Sequence, residues 1–290
     1  MQSEVQDLID KINKNRAKMS KGQKAISDYI IQNYDKAAFM TAAKLGQTVG
    51  VSESTVSRYA MQLGYDGYPE LQKAFQRLIK NKLTTLQRME LSTEQSTSDI
   101  LKNVLKTDMS NIRTTLDNID EEAFGRIVEK ICSAKNIYIL GARSAATAVQ
   151  FMGYYLNFIM DNVHVITSGV SDIVEQISHI RQGDILVAVS FPRYARRALD
   201  GAEYAKKRGA DVAVITDSEY SPLVPFADEV LYARSDMTSF VDSLVAPLSL
   251  VNALLIAVSS TKKQESMDNF LNLENIWKDY GVYKSKDVEE

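Results

Sequence analysis

The chain has 290 residues, of which 45% are hydrophobic and 24% charged, and its formal net charge at pH 7 is −3. This length exceeds the usual domain size of about 100 to 150 residues, so two folded units are expected. No stretch approaches the roughly 18 consecutive apolar residues of a membrane span, and the first residues lack the apolar core of a signal peptide, so we expect a cytoplasmic protein that does not contact a membrane. The single cysteine, Cys132, rules out an internal disulfide and a cysteine-based metal site, and no metal or cofactor is expected.

The beginning of the chain is mildly basic. Residues 1–80 carry 12 Lys and Arg against 8 Asp and Glu, whereas the rest of the chain is acidic. Residues 11–24 hold six basic side chains, Lys21 among them, and no acidic one. Such a run either attracts phosphate or is only a solvated face, and charge alone does not separate the two.

Residues 41–75 have the pattern of a helix-turn-helix. A short helix is expected to end near Val49, Gly50 suits a left-handed turn, and Ser52 is a good N-cap for a second helix. Gly46 leaves room for the two helices to cross closely. The second helix has one apolar and one polar face: the apolar face holds Val56, Tyr59, Ala60 and Leu63, and the polar face holds Ser54, Thr55, Arg58 and Gln62. An ordinary helical hairpin with a solvated face is the alternative.

In a helix-turn-helix, the second helix places its N-terminal polar side chains in the major groove of DNA. Short hydroxyls can donate to phosphates or base edges, and an arginine can bind guanine through two hydrogen bonds. The predicted DNA contacts are Ser52, Ser54, Thr55, Ser57 and Arg58, with Lys21 from the basic run.

The pattern changes after a polar stretch at residues 89–99. Two more helical stretches follow, and then five short apolar runs alternate with helical periodicity; the runs are 136–141, 163–166, 184–190, 211–216 and 229–233. Spacings of roughly 18 to 27 residues between runs are typical of βαβ crossovers. The sequence therefore predicts an all-α helix-turn-helix domain over residues 1–80, a linker and connecting helix over 81–115, and an α/β domain over 116–290 with a five-stranded parallel sheet and helices on both faces.

The last long apolar segment spans residues 239–260. Polar residues within it, such as Asp242 and Asn252, argue against a membrane span. We expect a buried helix or an oligomer interface there.

Ligands of parallel sheets bind beyond the carboxyl ends of the strands, where the loops before the helices converge. Two of these loops carry an arginine, Arg143 after the first strand and Arg193 after the third. Guanidinium groups bind carboxylate or phosphate through a rigid fork, and a pair of them at neighbouring strand ends needs an anionic partner. That partner is either a ligand or an internal acid, for which Asp172, Asp217 and Asp242 are the candidates. Simple exposure of the two side chains to solvent is the remaining alternative.

Two further residues near these loops have open roles. Tyr194 either closes over a sugar ring or packs on the sheet. Ser221 is followed by Pro222, which predicts an N-cap and a helix start whose free N–H groups form another anion site.

The segment VSESTVSRYAMQLGYDGYPELQKAF resembles the N-terminal domain of the RpiR family of bacterial transcriptional regulators. Residues 184–227 are similar to the core of a sugar isomerase (SIS) domain in the order of strand, helix, glycine, second strand, TDS and SPL. The resemblance implies a DNA-binding head, a linker and a SIS domain that senses a phosphorylated sugar. It also implies a homodimer or homotetramer on a two-fold-related operator in double-stranded DNA.

The SIS loops depart from the pattern that the resemblance implies. Phosphosugar-binding SIS domains typically carry G-x-G-x-S after the first strand and S-x-S-G-x-T after a later one. Here Arg143 and Arg193 stand at glycine positions, and Ala145, Pro192 and Ala195 stand at hydroxyl positions. The expected effector is therefore a small anionic sugar derivative, either a sugar phosphate or a sugar acid. Its predicted contacts are Gly141, Arg143, Ser144, Ser190, Arg193, Tyr194 and Ser221.

No catalytic residues are expected, because neither loop holds a histidine or glutamate for acid–base chemistry. Glu175 and Glu203 are the distant acids that would have to approach the loops. Two alternatives to an effector-responsive regulator stay open. One is a phosphosugar isomerase or lyase with an accessory helical domain, and the other is a regulator whose SIS domain only oligomerises.

Overall fold

A computed structural model describes residues 11–79, 85–90, 96–167, 169 and 171–283. The chain divides into two compact units, Met1–Gln95 and Ser96–Glu290. Residues 91–95 of the predicted linker and residues 81–84 lie outside the described residues. The long helix that starts at Thr97 belongs to the second unit, although the sequence pattern assigns most of it to a connecting segment, because it hydrogen-bonds to residues far along that unit.

The described part of the first unit is helical, as predicted. Its α-helices are α1 (Lys21–Gln32), α2 (Tyr34–Ala37), α3 (Ala42–Val49), α4 (Glu53–Gln62), α5 (Tyr68–Ile79) and α6 (Thr85–Glu90). Ser20, Thr41 and Ser52 cap α1, α3 and α4, and each side chain accepts a hydrogen bond from the backbone N–H three residues on. These caps satisfy N–H groups that have no partner within the helix, so the sequence specifies where each helix begins.

The predicted helix-turn-helix geometry is confirmed. Gly50 ends α3 in the left-handed conformation, with φ of 75°. A Cβ at Gly46 would lie 2.7 Å from the carbonyl oxygen of Val51, so only glycine lets the turn approach α3 this closely. The predicted apolar face of α4 is buried in the core of the unit. Within it, burial raises the pKa of Tyr59 to about 12, and the Tyr59 hydroxyl accepts a hydrogen bond from Ser27.

The second unit is an α/β fold. Its strands are β1 (Ile137–Gly141), β2 (Val163–Ile166), β3 (Ile185–Val189), β4 (Asp211–Thr216) and β5 (Glu229–Tyr232), and its α-helices are α7 (Thr97–Asp117), α8 (Glu121–Ser133), α9 (Ala145–Ile159), α10 (Ile173–Gln176), α11 (Arg196–Lys207), α12 (Val245–Thr261) and α13 (Lys263–Asp279). All strand pairs are parallel, and the sheet order is β2-β1-β3-β4-β5. The predicted five-stranded parallel sheet is confirmed.

Helices cover both faces of the sheet, as predicted. Alternate residues of β1 point to opposite faces, so Ile139 joins one apolar core and Leu140 the other. The first core contains apolar residues of α8, α9 and α12, and the second contains those of α10 and α11. Because both faces are buried, β1 and β3 consist of continuous apolar runs rather than alternating ones.

The predicted apolar helix near the C-terminus is α12, which begins at Val245 and buries Leu250, Val251 and Leu254 against the sheet. Within the described ranges, no single helix is both long and apolar enough to cross a membrane. The pair α12 and α13 would qualify by length and composition together, but the two helices meet at a bend of 102°.

Candidate DNA-contact and effector sites

The N-terminal turn of α4 carries a cluster of hydroxyl groups. The Ser52 Oγ lies 2.9 Å from the Ser54 Oγ and 2.9 Å from the Thr55 Oγ1, and it also accepts from the Thr55 backbone N–H at 3.3 Å. Ser52 and Ser54 are exposed and Thr55 is partly exposed. Three of the predicted DNA contacts therefore lie together at a helix start, where the positive end of the helix dipole favours phosphate.

The two other predicted contacts on α4 lie one turn further along. Arg58 is exposed, and its Nε donates to the carbonyl oxygen of Ser54 at 3.2 Å. This bond holds the arginine along the same face as the hydroxyl cluster. Ser57 is only partly exposed.

Lys21 lies near this cluster although it is distant in the sequence. It is the exposed first residue of α1, and its neighbour Gly22 packs so closely on the turn before α4 that a Cβ there would lie 3.1 Å from Val51 and 3.6 Å from Thr55. The start of α1 has no acidic residue in its first turn. We name this surface, with Lys21, Ser52, Ser54, Thr55 and Arg58, the α4 polar face.

The second candidate site is at the carboxyl ends of β1 and β3. Gly141 ends β1 opposite Val189, the last residue of β3. The strand order reverses between these two strands, and ligands of open α/β sheets bind at this switch point. A Cβ at Gly141 would lie 2.5 Å from the side chain of Val149, so glycine is needed for α9 to start directly behind the strand. We name the two loops, residues 142–144 and 190–195, the strand-end site.

Both arginines of the strand-end site have a left-handed backbone. Arg143 has φ of 59° and Arg193 has φ of 68°, and among the described residues these two are the non-glycine positions with positive φ. Only a few per cent of non-glycine residues adopt this conformation. The backbone at both positions thus favours glycine, yet each carries an exposed guanidinium.

The helices that follow the two loops start without side-chain caps. Neither Ser144 at the start of α9 nor Ala195 at the start of α11 caps its helix, and neither first turn contains an acidic residue. The positive ends of two helix dipoles therefore lie at the same edge of the sheet as the arginines, an arrangement that favours an anion.

Each internal acid considered as a partner of Arg143 or Arg193 also contacts another residue. Asp172 lies 3.7 Å from Arg197, Asp217 accepts a hydrogen bond of 2.7 Å from the Tyr194 hydroxyl, and Asp242 accepts one of 3.0 Å from the Ser144 hydroxyl. In the described part of the chain, no carboxylate lies within 4.0 Å of the Arg143 guanidinium. Because its hydroxyl donates to Asp217, the residue directly after β4, Tyr194 anchors its loop to the end of that strand.

Ser190 is buried at the end of β3, and its carbonyl oxygen accepts a hydrogen bond of 2.8 Å from Thr216. The predicted α-helix start at Ser221 is wrong. Only a 3₁₀ turn at Val224–Phe226 follows, and β5 begins at Glu229. The Ser221 side chain is buried and its hydroxyl faces the N–H of Leu223 at 3.5 Å. The effector contact of Ser221 stays a prediction, but no α-helix dipole supports an anion there.

A segment between the last strand and α12 contacts this site. Residues 233–244, which we name the connector, lead from β5 to α12 and contain Asp242. The connector also binds α7: the Ser243 hydroxyl donates to Asp108 at 2.6 Å, Asn111 exchanges two hydrogen bonds with the backbone of Asp236, and Thr115 accepts from the N–H of Arg234 at 2.9 Å. These pairs are more than 100 residues apart, so no local pattern reveals them.

Comparison with known families agrees with both halves of the fold. Residues 6–82 match the model of the helix-turn-helix domain of the rpiR family, and residues 130–257 match the model of the SIS domain. A curated relative with the same layout is the HTH-type transcriptional regulator HexR of Pseudomonas aeruginosa. It is 23% identical over 264 residues, which cover 88% of this chain and 90% of HexR.

Two solved structures are also similar. The sugar isomerase domain of an RpiR transcription factor from Sphaerobacter thermophilus is 28% identical, with a TM-score of 0.57, and the match covers 60% of this chain and 97% of that domain. The NanR protein of Vibrio vulnificus, complexed with ManNAc-6P, is 23% identical, with a TM-score of 0.58. That match covers 96% of this chain and all of NanR, at 100%, so the similarity of fold extends through both units.

Proposed function

Because the chain belongs to the RpiR family of helix-turn-helix transcriptional regulators, we propose that it binds operator DNA through its first unit and an anionic sugar derivative through its SIS domain. The effector alters its affinity for DNA, so that genes of sugar or sugar-derivative metabolism respond to the metabolite. A bacterial regulator of this kind acts in the cytoplasm, where the DNA is.

The α4 polar face is the observation that supports DNA binding most strongly. It joins a hydroxyl cluster, the start of α4, Arg58 and Lys21 on one surface, while the opposite face of α4 is fully buried. Arg58 can bind a guanine or a phosphate, and Ser54, Thr55 and Lys21 can bind phosphates that fix the register of the helix in the groove.

The strand-end site supports an anionic effector. A phosphate group placed there would lie at the positive ends of the α9 and α11 dipoles and beside the guanidinium groups of Arg143 and Arg193. The sugar itself would contact the remaining predicted residues, which are Gly141, Ser144, Ser190, Tyr194 and Ser221. NanR, which shares the fold, was solved with a sugar phosphate, and this supports the same class of ligand here.

A homodimer or homotetramer fits the proposed function, because paired DNA-binding heads read paired half-sites. Helix α7 presents apolar side chains at spacings of three and four residues along one exposed stripe: Leu101, Leu105, Met109, Ile112 and Leu116. Such a stripe is typical of a helix that packs on another chain.

The enzyme alternative receives less support from the geometry. Glu175 accepts the N–H of Asp172 in the cap of α10, and Glu203 pairs with Lys207, so both distant acids have structural contacts. His164 stacks on Tyr138. We propose that the SIS domain binds its ligand without turnover.

The proposed function is tested by selecting DNA fragments from a random duplex pool with the full-length protein. We expect a two-fold-related sequence that binds about 1,000-fold or more tightly than random duplex at physiological salt. The alternative of an enzyme is tested by incubation with a panel of sugar phosphates and measurement of product. Selection that yields no preferred sequence would remove the regulatory function, and turnover of any panel member would favour the enzyme.

A further inference from the structure

Asp242 lies where an anionic effector is expected to bind. Its Oδ2 accepts the Ser144 hydroxyl at 3.0 Å, and Ser144 is the residue that precedes the first turn of α9. That hydroxyl does not cap α9 and instead binds a carboxylate that lies 98 residues further along the chain. A negative charge is favoured at a helix start for the same reason that a bound phosphate is. Asp242 therefore has the chemistry of an internal ligand.

The residue next to Asp242 is fixed to α7. The Ser243 hydroxyl donates to the Asp108 carboxylate at 2.6 Å, and the connector makes three further hydrogen bonds to Asn111 and Thr115 of the same helix. Helix α7 begins at Thr97, directly after the boundary between the two units at Gln95. The connector is thus bonded at one end to the effector loop and along its length to the first helix that follows the DNA-binding unit.

We propose that Asp242 occupies the anion site when no effector is bound and that an anionic effector displaces it. This inference rests on the proposed function. A phosphate that accepts the Ser144 hydroxyl takes this hydrogen bond from Asp242 and places a like charge beside its carboxylate, and like charges this close repel. Asp242 then leaves the loop, and Ser243 changes its contact with Asp108 on α7. Asp242 thus sets both the affinity for the effector and the structural change in α7 that effector binding produces.

The test compares Asp242→Asn with the wild-type full-length protein, using inorganic phosphate as the probe. Asparagine keeps the shape and an oxygen that accepts the Ser144 hydroxyl, but it removes the charge. We expect the apparent Kd for phosphate, measured from thermal shifts at constant ionic strength, to fall about tenfold, because the internal competitor is weakened. Asp236→Asn is the matched control, since Asp236 lies on the same connector and pairs with Arg234, and its phosphate affinity should equal that of the wild type.

Equal or weaker phosphate binding by Asp242→Asn than by the wild type would overturn this inference and leave the proposed function intact. If neither the variants nor the wild type bind phosphate, any sugar phosphate or any sugar acid, the proposed effector site fails together with the inference. A second measurement follows amide hydrogen exchange across Thr97–Asp117. Phosphate should speed exchange there in the wild type and leave it unchanged in Ser243→Ala, which should still bind phosphate. The inference would also be overturned if the wild type binds phosphate but the rate of amide exchange in α7 does not change.

Discussion

Replacing Arg143 by glycine should make the protein slightly more stable and its effector binding weaker. The left-handed backbone at Arg143 costs a non-glycine residue about 1 to 2 kcal/mol, and glycine avoids this cost. Glycine in turn loses about 0.5 to 1 kcal/mol more to conformational entropy on folding. The net gain is about 0 to 1.5 kcal/mol, which raises the Tm of a unit of this size by up to about 6 °C.

The loss of binding has a different origin. A hydrogen bond from a charged group contributes about 1.5 to 3 kcal/mol, so removal of the guanidinium should weaken effector binding by about 10-fold to 100-fold. The ligand for this test is the compound with the largest thermal shift in a panel of sugar phosphates and sugar acids, and its affinity is measured by calorimetry.

Arg143→Ala is the matched control for both effects. Alanine loses the guanidinium but keeps a Cβ, so its binding should fall as in Arg143→Gly while its Tm stays near that of the wild type. If Arg143→Gly melts no higher than Arg143→Ala, the backbone at this loop is not strained in solution. If both variants bind the ligand as the wild type does, Arg143 is a solvent-exposed side chain with no part in the site.

Three further changes test other parts of the fold and the DNA-contact surface. Arg58→Ala should weaken operator binding by about 1 to 3 kcal/mol in a fluorescence polarisation titration, while Lys73→Ala on α5 should not; equal effects of the two would remove Arg58 from the DNA contacts. Gly46→Ala should destabilise the first unit by about 1 to 3 kcal/mol in a thermal melting assay, because the added Cβ would lie 2.7 Å from a backbone oxygen. In the same assay, the control Gly125→Ala on α8 should be neutral or stabilising, because a Cβ there meets nothing within 4 Å. Desolvation opposes ionisation of Asp228, but hydrogen bonds from Lys206 and from the Val212 N–H hold its pKa below the ordinary value. The ionised carboxylate therefore stabilises the fold above about pH 4, and this stabilisation is lost as the pH falls through the lowered pKa. Asp228→Asn should flatten the acid limb of a curve of unfolding free energy against pH, and an unchanged limb would contradict this origin.

Local rules were sufficient where a short stretch of chain specifies its own geometry. Gly50, Gly46 and the Ser52 cap predicted the turn and the start of α4 because each acts within a few residues. The apolar runs predicted the sheet because strands buried on both faces, such as β1 and β3, consist mainly of apolar residues. The same local reasoning was wrong at Ser221, where the cap and proline signal is followed by a single 3₁₀ turn before β5.

The contacts of the effector loops needed the tertiary structure. Ser144 and Asp242 are 98 residues apart, and Asp108 and Ser243 are 135 apart, so nothing in either neighbourhood predicts the pairing. The sequence analysis did name Asp242 among the possible acidic partners, but as a partner of the arginines rather than of Ser144. The left-handed backbone at Arg143 and Arg193 was also not predicted, since arginine has no preference for that conformation.

The central claim is that an anionic sugar derivative controls DNA binding by this protein. It is tested most directly by titrating the full-length protein onto its selected operator with and without each member of a panel of sugar phosphates and sugar acids. We predict that at least one compound changes the operator Kd by about 5-fold to 150-fold, the usual range of coupling between two sites, and that the effect is lost in Arg143→Ala. An operator affinity that no compound in the panel changes, although one of them binds the SIS domain by calorimetry, would contradict the claim.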